Sequence, residues 1–144
     1  MKNVIGLISL MILLYGCTPS DAELSYSEVK TDTVNKDVKD FVTSIEDTNG
    51  IYLYEGDKKT KYIFFNEYIV EQGEEALYFE DIKMYGEGQT LTISFTEHAT
   101  DDYANKSLNN RLLYEVKIDK DYESIKLLKN GEETAFKVVS GSGK

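Results

Sequence analysis

The stretch TEHATDDYANKSLNN, residues 96–110, holds the only histidine of the 144-residue chain, His98, beside Glu97, Asp101 and Asp102. An imidazole among carboxylates is the material of a metal site or of an acid-base pair, because both need a lone pair and a counter-charge close together. The spacing matches no ligand-pair pattern, and the competing reading is a polar loop in a chain that is acidic throughout. His98, Asp101 and Asp102 are therefore weak metal candidates, and no metal or other cofactor is expected. Nucleophilic catalysis lacks its parts, since no G-x-S-x-G turn is present and the one cysteine, Cys17, sits near the N-terminus. The 26 acids allow a two-carboxylate glycosidase, yet the chain has no tryptophan to serve as a sugar platform. Asp47-Thr48-Asn49-Gly50, Asp101-Asp102 and Asp119-Lys120-Asp121 offer oxygens to calcium, but none follows the regular calcium-loop pattern. Gly86-Glu87-Gly88 carries an acid where a phosphate would need donors. No enzymatic activity is expected.

Cys17 has a different use. Lys2 and the apolar run Val4 to Leu14, broken only by Gly6 and Ser9, have the layout of an export signal. A membrane-spanning helix needs about 20 apolar residues, and this run is shorter. Leu14-Tyr15-Gly16-Cys17 then resembles the bacterial lipobox, with Tyr15 bulkier than the small residue usual at its position. The resemblance, confined to residues 1–17, implies a diacylglycerol on the Cys17 sulfur, cleavage after Gly16, and a domain held on the extracytoplasmic side of the cell membrane. Two acyl chains anchor stably where one holds only marginally.

Without residues 1–16 the chain has 15 Lys and Arg against 26 Asp and Glu, a net charge of −11. Nucleic-acid binding relies on lysine and arginine neutralising phosphates, so that class is excluded. Ten tyrosines remain after cleavage. Tyrosine is enriched where proteins bind proteins, so Tyr52, Tyr54, Tyr62 and Tyr68, with Tyr103 in the long loop, form a candidate partner surface. The other reading of the same rings is core and cross-strand packing.

The elements that position these residues follow from the hydrophobic period. Residues 17–33, after the export segment 1–16, read as the lipidated cysteine and a flexible tether. Val34, Val38, Phe41, Val42 and Ile45 share one helical face, ending at Asn49-Gly50. From Gly50 the period becomes two. GIYLYE and KYIFFNEYIV flank the turn GDKKT, and ALYFEDIKMYG needs a bulge near Glu80-Asp81 to bring Leu77 and Phe79 into phase with Ile82 and Met84. QTLTISFTE turns Leu91, Ile93 and Phe95 one way, RLLYEVKID follows, and Asn130-Gly131 suits a hairpin. The expectation is an α+β domain over 34–139, one N-terminal helix with a bent antiparallel meander of about seven strands, and a flexible tail at 140–144. The strand pattern from Ala76 to Ile118 is faintly similar to PrcB-like domains, β-rich modules linked to extracytoplasmic protease complexes, with EQGEEALY standing where those domains carry a TGGY-type turn. The expected function is a lipid-anchored, non-enzymatic binding module for a protein, peptide or cell-wall component. The alternative is an immunity or exclusion lipoprotein acting against an antimicrobial peptide or phage.

Overall fold

The computed structural model describes residues 23–141; the export segment, Cys17 and residues 142–144 lie outside the described residues. In chain order the elements are β1 (Ser25–Val29), a 3-10 turn (Thr31–Thr33), α1 (Lys36–Ile45), β2 (Gly50–Glu55), β3 (Thr60–Asn66) and β4 (Ala76–Glu87). They continue with β5 (Thr90–Thr100), β6 (Arg111–Lys117), β7 (Ser124–Lys129), β8 (Glu132–Thr134) and β9 (Val138–Gly141).

The strands form two sheets, β1-β6-β3-β2-β9 and β4-β5-β7-β8. Ile51, Leu53, Ile63, Phe65, Leu112 and Val116 of the first sheet meet Phe79, Met84, Leu91, Ile93, Phe95 and Leu127 of the second in the main core. The opposite face of the first sheet presents Tyr52, Tyr54, Tyr62, Phe64 and Leu113, and α1 lies on it through Val38 and Val42. The described residues thus form a helix, a five-stranded sheet and a four-stranded sheet in three layers. Central strands covered on both faces read as continuous apolar runs, which is why IYLY and YIFF show no polar alternation. Fully burying one large apolar side chain contributes about 1.5–3 kcal/mol, so the aromatic residues on these two strands supply much of what holds the layers together.

The expected α+β class with a single antiparallel meander does not hold. Among the described residues 51% are in strands and 11% are helical, with nine strands divided between two sheets, so this part of the chain is mostly β. Both sheets are mixed, since β9 runs parallel to β2 and β7 parallel to β5. The reason is topological. Tight turns and alternation show where strands lie but not which sheet receives them. Here β6 joins the first sheet between β5 and β7 of the second, so β7 returns alongside β5 in the same direction.

The ends also differ from expectation. Ser25–Val29, read as tether, pairs antiparallel with β6, and the tail read from residue 140 contributes Ser140 and Gly141 to β9. Local turn chemistry is as read. The register of β4 on β5 shifts between Glu80 and Lys83, with Asp81 at φ 51°. Asn130 and Gly131 carry φ values of 52° and 83°, the paired positive angles of a type I′ hairpin turn.

Candidate functional site

The five candidate tyrosines separate into two groups. Tyr52, Tyr54 and Tyr62 are only 1%, 6% and 7% exposed, because α1 covers the face of β2 and β3 on which they stand. The Tyr52 hydroxyl donates to the Thr48 carbonyl at 2.7 Å. That of Tyr62 donates to Glu115 Oε2 at 3.1 Å, and burial first, this bond second, push the Tyr62 phenol up to about 12. These three are core residues, which corrects the surface expected of them. Tyr68 and Tyr103 are 56% exposed and remain available.

Tyr68 opens an exposed apolar run, Tyr68-Ile69-Val70, on the connection between β3 and β4. Its backbone is held by two asparagines. Asn49, which follows α1, donates from Nδ2 to the Ile69 carbonyl at 2.6 Å and accepts the Ile69 amide on Oδ1 at 2.9 Å. The fully buried Asn66 closes β3 by accepting the Tyr68 amide while its Nδ2 donates to the Glu46 and Thr48 carbonyls. The Arg111 guanidinium stands 5.7 Å from the Phe64 ring centre and 5.6 Å from that of Tyr68, and pairs with Glu46. The connection between β5 and β6 joins the same end, since the Tyr103 hydroxyl donates to the Glu74 carbonyl at 2.5 Å. A groove of about 320 Å³ there is lined by Asp47, Thr48, Asn49, Ile69, Glu71, Glu74 and Lys137. Beside Tyr68, burial first and the Glu97 carboxylate second push the Glu67 carboxyl up to about 7, against the pull of Lys129 and Lys137.

His98 is on β5 rather than in the loop, stacked on Tyr78 with ring centres 5.3 Å apart, and its Nε2 lies 3.1 Å from Glu80 Oε2. The Asp102 amide donates to the Thr100 hydroxyl in a local turn. Among the described residues no group of three or more His, Cys, Asp or Glu is arranged to hold a metal ion. The imidazole and the two aspartates thus take part in a ring stack and a turn.

Asn49 and Asn66 are the organising residues that sequence reasoning missed. The available signal was a lone Asn ending the aromatic run of β3, and an Asn read only as a helix stop. Among the described residues no helix is long and apolar enough to cross a membrane. No family model, no curated protein and no solved structure matches the chain.

Proposed function

We propose that the protein is a lipid-anchored extracytoplasmic module that docks a protein or peptide through Tyr68, Ile69, Val70 and Tyr103. The observation that carries this reading is the pairing of exposed apolar side chains with a backbone fixed by Asn49, Asn66 and Tyr103. Exposed apolar groups on a preset backbone avoid part of the ordering cost of association, and tyrosine is a frequent hot-spot residue at interfaces. Asp47, Glu71 and Glu74 beside Ile69 add a negative rim, which steers a partner of opposite charge.

The same acidic rim supports the second reading, interception of a cationic peptide at the membrane. Loss of the gene then raises susceptibility to that peptide, and binding weakens as salt rises.

Two variants test the anchor and the surface separately. Cys17→Ser removes the acyl acceptor, and the expected result is release from membranes with β1 to β9 still folded; sedimentation with membranes after a high-salt wash would refute the anchor. Combined Tyr68→Ser, Ile69→Ser and Tyr103→Ser should abolish partner retention while the thermal transition stays cooperative. Retention of the same partner by the triple variant would refute the surface.

A further inference from the structure

At the opposite end of the β2–β3 hairpin, roughly 17 Å along the strands from Gly50, lies a larger cleft of about 750 Å³. Its walls are the first turn of α1, with Asn35 and Asp37, and the β2–β3 turn, with Glu55, Asp57 and Lys58; Tyr54 and Tyr62 lie at its base. This volume is within the usual range of small-ligand sites.

The polar atoms facing it are mostly acceptors. Tyr54 is 94% buried, being 6% exposed. Among the described residues its hydroxyl has no hydrogen-bond partner, yet it is not sealed from solvent, so it opens on the cleft it lines. The Tyr62 hydroxyl donates its hydrogen bond to Glu115 and keeps its lone pairs as acceptors. Asp37 and Asp57 take part in no ion pair among the described residues, although the Asp57 carboxylate accepts the Lys59 amide at 2.8 Å, whereas Glu55 is engaged by Lys61 at 3.2 Å. Asn35 accepts the Val38 amide at 3.1 Å, so the helix start is already capped. Among the described residues the exposed Lys58 is the one cationic side chain lining the cleft.

An acceptor-lined cleft with two carboxylates that have no cationic partner among the described residues calls for a ligand made of donors and positive charge. We propose that this cleft binds an organic cation, an alkylammonium or guanidinium group, with Asp37 and Asp57 as counter-ions and the Tyr54 hydroxyl as acceptor. An anion is disfavoured, because the carboxylates of Asp37, Glu55 and Asp57 outweigh the partial positive charge of the helix start, about half an elementary charge. The chemistry is shared by a free polyamine and by the arginine or lysine side chain of a peptide. The site is separate from the Tyr68 surface, and neither depends on the other.

The test uses the full chain with spermidine and, separately, a blocked Gly-Arg-Gly tripeptide, following the tyrosine ring resonances of Tyr54 and Tyr62 at low ionic strength. Saturable shifts with either probe support the site, and the probe that binds identifies the source. Asp37→Asn with Asp57→Asn should weaken binding about tenfold, as two solvent-accessible charge contacts allow. Tyr54→Phe, which keeps the ring in place, should weaken it several-fold with an unchanged thermal transition. Glu132→Gln with Glu133→Gln, on exposed β8 of the other sheet, should change nothing. No saturable shift with either probe overturns the proposal, as does equal weakening by the β8 pair. If the double Asn variant fails to fold, unchanged affinity of Tyr54→Phe overturns it and weakened affinity supports it.

Discussion

The raised carboxyl of Glu67, at about 7 in the fold against an ordinary value of 4.5, ties stability to pH. Between those values the folded chain holds the proton that the unfolded chain releases. The contribution of this group is therefore fullest below about 4.5 and is lost as pH rises through 7. Glu67→Gln should melt higher than wild type at pH 8, with the gap closing toward pH 4 in thermal scans. A gap that is constant with pH would show that the carboxyl is not the cause. Asn49→Ala removes both hydrogen bonds to Ile69. It should cost about 1–2 kcal/mol and raise amide exchange across residues 67–75; unchanged exchange there would mean the connection is held by other contacts. Neither asparagine's role was legible in the sequence, because a side chain gripping the backbone 20 residues away leaves no periodic trace. Tyr68 and Tyr103 were legible as candidates, whereas the covering of Tyr52, Tyr54 and Tyr62 by α1 was not.

α1 is capped by Asn35 and packs by Val38 and Val42, both at most 1% exposed. Its face was readable from the spacing of Val34, Val38, Phe41, Val42 and Ile45, because a solvent-facing helix keeps a clean period. What it covers was harder to read, since strands buried on both faces lose the alternation that tells one face from the other. Val42→Ala should cost about 2 kcal/mol by leaving a gap over the tyrosine layer, measured as a drop in the denaturant midpoint at unchanged slope. A change below about 0.5 kcal/mol would mean the helix is loosely docked. β1 and β9 escaped detection for another reason. β1 buries little, with Val29 reaching the tyrosine layer and the exposed Tyr26 lying against Tyr114, and β9 is a short parallel addition whose partner lies far back in the chain. Such edge strands are held by backbone pairing and leave little hydrophobic signature.

Across the whole molecule, charge and topology divide the surfaces. With the proposed cleavage after Gly16 the remaining charge is −11, which an anionic membrane would repel, so on the proposed reading retention rests on a lipid at Cys17 and recognition on the end bearing Tyr68 and Tyr103. The most direct test of that recognition is site-specific photo-crosslinking in cells, with a photoreactive residue placed in turn at positions 69, 103 and 126. Lys126 is on β7 of the four-stranded sheet, away from the proposed surface. The account predicts one common adduct from positions 69 and 103, lost when Tyr68→Ser is added, and none of that mass from position 126. The same adduct from all three positions, or its survival in Tyr68→Ser, would contradict it.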